Sequence, residues 1–135
     1  MGDRARQVTY CFDSWAIVAW LGQDEPAASR VDEVITSQAS LMSWINLGEV
    51  FYLLHRRASE REARGVVRRL RARLTLDLPS ETRVLEAAKI KASHAISYAD
   101  AFAVATAIAH EATLLTGDPE ILTANPDWPV QDLRF

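Results

Sequence analysis

Ser97-Tyr98-Ala99-Asp100-Ala101-Phe102-Ala103-Val104-Ala105-Thr106-Ala107-Ile108-Ala109-His110 is the stretch whose reading decides the fold. From Ala99 to Ala109 it holds only small and apolar residues apart from one carboxylate and one hydroxyl. A helix apolar on every side belongs in the interior of a domain. An ionised Asp near its start is costly unless a hydrogen-bond donor or a cation meets it. Either Asp100 caps this helix or it faces a positive charge.

Outward from this rod, short apolar runs alternate with helical patterns. Val8–Phe12 is a β-branched and aromatic run that reads as a buried strand ending at Asp13, with a helix from Ser14 to Leu21 behind it. Gly22–Pro26 breaks that helix, and Ala28, Val31, Val34 and Ile35 mark the next one. Leu41–Trp44 reads as a second strand, Asn46 as the start of a helix to Arg56, and Ser59–Leu74 as another helix. Thr75–Leu78 is a third strand closed by Pro79. Ser80 opens a helix with Val84, Leu85, Ala88 and Ala92 on its apolar side. After the Asp100 helix come a strand at Thr113–Thr116, a helical turn at Ile121 and Leu122, a Pro-containing loop, and a last strand at Val130–Leu133. Such alternation predicts an α/β domain with a parallel sheet covered on both faces, whose strand C-terminal ends share one edge.

With 135 residues, 49% apolar and 24% charged, the chain reads as one globular domain spanning residues 1–135. Cys11 stands alone, so no disulfide forms within the chain, and a cytoplasmic protein is expected. Met1–Arg6 carries charge with no apolar segment behind it, unlike a secretory signal, and Arg6 occupies the position where N-myristoylation requires Ser or Thr. No apolar run approaches the ~18 residues of a membrane span, so no membrane partner is expected.

Asp13 follows the first strand, Asp118 a late one, and Glu49 and Asp100 each lie in the first turn of a helix. A parallel sheet would gather all four at one edge, with Asn46 one turn before Glu49 on the same helix face. Asp13, Asp100 and Asp118 also sit where N-caps sit, and Pro119 is a favoured first helical residue after Asp118. Glu49 fits a capping box back to Asn46 only loosely. Capping does not account for four acids on one edge, where they repel and raise one another's pKa. A divalent cation removes that penalty, and oxygen-only donors without a Cys or His cluster favour Mg²⁺ or Mn²⁺ over zinc.

Phe12-Asp13-Ser14, Asn46-Leu47-Gly48-Glu49-Val50, Tyr98-Ala99-Asp100-Ala101 and Leu115-Thr116-Gly117-Asp118-Pro119 occur in that order across nearly the whole chain. Together they resemble the PIN-domain ribonucleases, and among these the VapC-type toxins of bacterial toxin–antitoxin pairs. The resemblance implies a three-layer sandwich around a central, mainly parallel sheet. It implies Mg²⁺- or Mn²⁺-dependent hydrolysis of RNA leaving 5′-phosphate and 3′-hydroxyl ends, a cognate antitoxin, and a homodimer. It carries the catalytic role to Asp13, Glu49, Asp100, Asp118 and the hydroxyl of Thr116. Asp13 and Asp100 are expected as direct ligands, Glu49 as a ligand or a water-orienting group, and Asp118 as a ligand through water or to a second ion. Two residues depart from the family pattern: Trp15 replaces a small residue, and Ile121 an aromatic.

Between His55 and Arg73, eight arginines face Glu60 and Glu62. This +6 segment leaves −9 for the rest of a chain of net charge −3. Arg57, Arg61, Arg64, Arg68 and Arg71 form one helix stripe, and Ala63, Val67, Leu70 and Leu74 an apolar one. The basic stripe is a solvated face, an RNA-backbone track formed by Arg57, Arg61, Arg64 and Arg68, or a dock for an acidic antitoxin tail. His55, His94 and His110 lie near helix C-termini, where partial positive charge is favoured, and read as neither ligands nor bases. The tryptophans read as packing residues except Trp15, which its place beside Asp13 makes a candidate base-stacking platform. Two other classes stay open. A receiver-type signalling domain would need an acidic pair after the first strand and a Lys after a late one, whereas Asp13 stands alone and no Lys follows Leu115. A non-catalytic PIN-like module would bind RNA or protein without the acids acting.

Overall fold

Cys11 and Phe12 are consecutive and both wholly buried, yet they belong to different apolar clusters on opposite faces of one strand. That alternation is the signature of a sheet covered on both sides. A computed structural model describes residues 8–124 and 127–135. The Met1–Arg6 segment read for targeting signals and Pro126 of the last loop lie outside them.

The elements run β1 (Tyr10–Phe12), α1 (Ser14–Leu21), α2 (Ala27–Ser37), β2 (Ser40–Ser43), α3 (Trp44–Arg57), α4 (Glu60–Arg73) and β3 (Thr75–Asp77). They continue with α5 (Glu81–Ser93), α6 (Tyr98–Ala109), β4 (Thr113–Thr116), α7 (Pro119–Ala124) and β5 (Val130–Asp132). The sheet order is β3-β2-β1-β4-β5, with every neighbouring pair parallel. Helices α1–α4 pack with Phe12, Met42 and Leu115 on one face, and α5–α7 with Cys11, Leu41 and Leu114 on the other. The three-layer α/β sandwich implied by the sequence is thus observed, with a sheet that is parallel throughout.

Helix α6 is buried from Asp100 to Thr106 and Ala107 without interruption. Its alanines carry little bulk, so the helix backbone lies close against β1, β2 and β4. Among the described residues no helix is long and apolar enough to cross a membrane.

Two expectations about helices are corrected. The third helix starts at Trp44 rather than Asn46, because Ser43 Oγ accepts the Ile45 N–H at 3.1 Å and caps it there. On α5, Val84 and Leu85 point to solvent, while Ala87 is buried and Arg83 turns inward. Arg83 bridges Asp77 at 3.3 Å and Glu86 at 2.8 Å, so a charged network occupies the side that apolar spacing would have buried.

Candidate functional site

The register of the parallel sheet puts Phe12, Met42 and Leu115 level with one another. The residues that follow them, Asp13, Ser43 and Thr116, therefore leave the sheet along one edge. Helices α1, α3 and α7 start at this same edge, so their positive dipole ends face the acids gathered there.

Asp13 is 1% exposed and both its oxygens are engaged. Oδ1 accepts the Ala16 N–H at 2.9 Å, which makes Asp13 the N-cap of α1. Oδ2 accepts a short hydrogen bond from the Thr116 hydroxyl. Thr116 Oγ1 in turn accepts the Asp118 N–H at 2.9 Å, tying the two strand ends together. Asp118 Oδ1 receives the Glu120 N–H at 2.9 Å, as a cap of α7 would. Capping and convergence thus coexist at Asp13 and Asp118.

Asp100 is not a cap. Ser97 Oγ caps α6 by accepting the Asp100 N–H at 3.1 Å, which leaves the carboxylate to project from the buried rod. Single carboxylate oxygens of Asp100, Asp118 and Glu120 lie within 4.8 Å of one another. Glu120 also accepts the Ser97 N–H through Oε1 at 3.2 Å, linking α7 to the start of α6. It escaped the reading of the sequence because an acid in the first turn of an exposed helix commonly serves the helix dipole alone. The signal available was its spacing, two residues beyond Asp118.

Glu49 stands across from this group, half-buried. Its Oε1 accepts from Ser14 Oγ at 2.9 Å and from Asn46 Nδ2 at 3.4 Å. The Asn46 amide also donates to the Ala99 carbonyl at 3.0 Å, fixing α3 against the start of α6. The four acids singled out in the sequence therefore share one neighbourhood, although the tight oxygen trio contains Asp100, Asp118 and Glu120.

The electrostatics match that crowding. Burial pushes the Asp13 carboxyl up to about 7, with Asp118 and Glu49 adding to the rise and the Thr116 and Ala16 hydrogen bonds opposing it. Asp100 is raised by burial first, then by the charge of Asp118 and by hydrogen bonds shared with Asp118 and Glu120. Oxygen-only donors, partly buried and mutually repelling, fit a hard divalent cation of the Mg²⁺ or Mn²⁺ kind. The thiol of Cys11 does not compete as a nucleophile, since burial and the nearby Asp13 drive its pKa far upward.

The remaining candidates lie elsewhere. Arg57, Arg61, Arg64 and Arg68 are exposed on the α3–α4 hairpin. Arg64 pairs with Glu60 at 2.7 Å and lies over the Phe51 ring. Arg64, Arg68 and Arg71 rim a groove of about 390 Å³ floored by Trp44, Leu47 and Phe51. His55 and His110 face Glu60 and Asp77, and His94 packs at a tilt against the Trp128 ring, all outside the acidic group.

The PIN-domain family model matches residues 10–125, and the chain belongs to that family. Among solved structures the likeness runs to the VapBC group. The VapBC2 complex of Rickettsia felis bound to promoter DNA has a TM-score of 0.73 at 17% identity, over 93% of this chain and 98% of that one. VapBC-1 of nontypeable Haemophilus influenzae gives 0.70 at 21%, over 93% and 98%. VapC20 of Mycobacterium tuberculosis, a sarcin–ricin loop cleaving toxin, gives 0.69 at 18%, over 89% and 99%. Comparison with curated protein sequences yields no match.

Proposed function

We propose that this PIN domain is a Mg²⁺- or Mn²⁺-dependent endoribonuclease and the toxin of a toxin–antitoxin pair, acting on RNA in the cytoplasm. The observation that carries the reading is the meeting of Asp100, Asp118 and Glu120 within 4.8 Å, beside buried Asp13, at the carboxyl edge of a PIN sheet.

Asp13, Asp100 and Asp118 would hold the cation, with Glu120 closing the rim and Glu49 facing it. A bound Mg²⁺ or Mn²⁺ supplies a Lewis acid for the phosphoryl oxygens and makes a water acidic enough to attack near neutral pH. The protein's own contribution is placement. The buried rod fixes the Asp100 carboxylate, while Thr116 locks Asp13 relative to Asp118. Glu49 accepts hydrogen bonds from Ser14 and Asn46 at Oε1. Its Oε2 is left to take the proton of an attacking water, the role of a positioned general base. In-line attack on phosphorus, with departure of the ribose 3′-oxygen, yields 5′-phosphate and 3′-hydroxyl ends.

Two partners complete the reading. The arginine-rimmed groove of the α3–α4 hairpin suits an acidic segment with apolar side chains, and we place the antitoxin there; several of the similar structures are toxin–antitoxin complexes. We place a homodimer contact on Leu78, Leu85 and Ile108, which are 77%, 57% and 46% exposed on adjoining elements. Sedimentation of Leu85→Glu is expected to give a monomer where the parent chain gives a dimer; an unchanged dimer places the contact elsewhere.

The decisive test is cleavage of RNA by the purified protein with and without EDTA, beside Asp100→Asn. Loss of more than about a thousandfold in rate is expected in both cases, with the circular dichroism spectrum preserved. Activity untouched by EDTA or by Asp100→Asn overturns the metal-dependent reading. Absence of cleavage by the parent protein on any RNA leaves a non-catalytic PIN module.

A further inference from the structure

Gly117 does not take up a left-handed conformation; among the described residues no glycine has positive φ. What it provides is room. A Cβ at this position would lie 2.2 Å from Trp15 Cη2 and 2.3 Å from Cζ2, so the benzo ring of the indole rests against bare backbone. Any other residue at 117 would push the ring away. The glycine immediately before Asp118 thus seats a tryptophan that itself follows Asp13 by two residues.

Trp15 also lines a cavity of about 310 Å³, together with Val18, Leu53, Ser14, Asp24 and Asp118. The cavity is continuous with the acidic group through Asp118 and through Ser14, whose hydroxyl is donated to Glu49. Its walls are aromatic and aliphatic. Apart from the Trp15 indole N–H, its polar side chains are acceptors: the Asp24 and Asp118 carboxylates, and the lone pairs that Ser14 has left after donating its proton. A flat, partly apolar ring bearing N–H donors is the chemical complement of such a space.

We propose that this cavity holds the nucleobase next to the scissile phosphate, packed on Trp15, with Asp24 selecting guanine. The inference rests on the ribonuclease reading above. Guanine presents its N1–H and its N2 amino group side by side, which matches the two oxygens of one carboxylate. Uracil and cytosine each offer only one donor group on that edge. Aromatic packing supplies affinity for any base, and the carboxylate supplies the choice among them.

The test has a cleavage arm and a binding arm, both on the full chain. In the first, random-sequence RNA is digested with Mn²⁺ and the product ends are sequenced. Guanine enrichment beside the cut is expected for the parent protein. Trp15→Ala should raise KM about ten- to a hundredfold with a smaller change in kcat, and Trp15→Phe should restore most of it. Gly117→Ala, which evicts the indole, should reproduce Trp15→Ala. Asp24→Asn should flatten the guanine enrichment. In the second arm, fluorescein-labelled 2′-O-methyl UGU and UUU are titrated by anisotropy. Tighter binding of UGU, lost in Trp15→Ala, supports the pocket even if the parent cuts no RNA, in which case only the ribonuclease reading fails. Equal binding of the two trinucleotides, or affinity unchanged in Trp15→Ala, overturns the proposal.

Discussion

The carboxyl edge of the sheet and the α3–α4 hairpin are both crowded with charge of one sign, but they hold it in opposite ways. At the edge, Asp13 and Asp100 are nearly sealed from water at 1% and 5% exposure, and this burial raises their pKa values, with their acid neighbours adding to the rise. On the hairpin, the arginines stand in solvent and their charges cost little. Buried like charges are unfavourable for folding and call for a counter-ion. Exposed like charges need no explanation, so the hairpin stripe alone says less about function than five acids at the edge.

That contrast can be tested by calorimetry first. Saturating Mg²⁺ or Mn²⁺ at a hundredfold excess over Kd is expected to stabilise the protein by about 2.7 kcal/mol, on the order of 10 °C in Tm. The Asp100→Asn protein should respond far less. In EDTA, pH should act in the same experiment with a definite sign. A carboxyl whose folded pKa lies above its unfolded value favours the fold when protonated, so its stabilisation is complete below about pH 4 and lost as pH rises through the folded value. For Asp13 that window ends near pH 7, and Asp100 extends it in the same direction. Metal-free Tm should therefore carry a falling contribution from pH 4 to 7 that Asp13→Asn removes. A metal-insensitive Tm with no such contribution would make the edge resemble the hairpin, a set of tolerated charges.

The smallest expected effect tests the hairpin. Arg64→Glu with Arg68→Glu should weaken RNA binding and lower the slope of log Kd against log salt by about 1.4, two backbone contacts on single-stranded RNA. An unchanged slope would return the stripe to a solvated face and leave the groove to the proposed antitoxin.

What the sequence disclosed follows the same division. Strand ends and their acids were readable because β1 and β4 are short apolar runs that stop at Asp13 and just short of Asp118. The helix of Asp100 was readable because, from Ala101 to Ala109, only the Thr106 hydroxyl interrupts a run of small and apolar residues. Glu120 was not, since its role comes from the fold of α7 against Ser97, which no local pattern encodes. The α5 face departs from its apolar spacing for a related reason. Periodicity assumes that apolar side chains turn inward, and here Arg83 turns inward because Asp77 and Glu86 pair with its two terminal nitrogens, leaving Val84 and Leu85 outside. Charge pairing overrode spacing. The start of α3 shifted because Ser43, a strand residue by pattern, is also a good cap.

The hydrogen bond from Thr116 to Asp13 spans 103 positions of the chain. The ribosome adds about 5–20 residues per second, so several seconds separate the synthesis of these two partners. Until β4 has inserted beside β1, Asp13 has no hydroxyl to hold it, and Asp118 and Glu120, which follow β4 directly, are not in place. The acids cannot assemble on a partly made chain. The acidic edge therefore stays incomplete through most of translation and forms only when β4 closes beside β1.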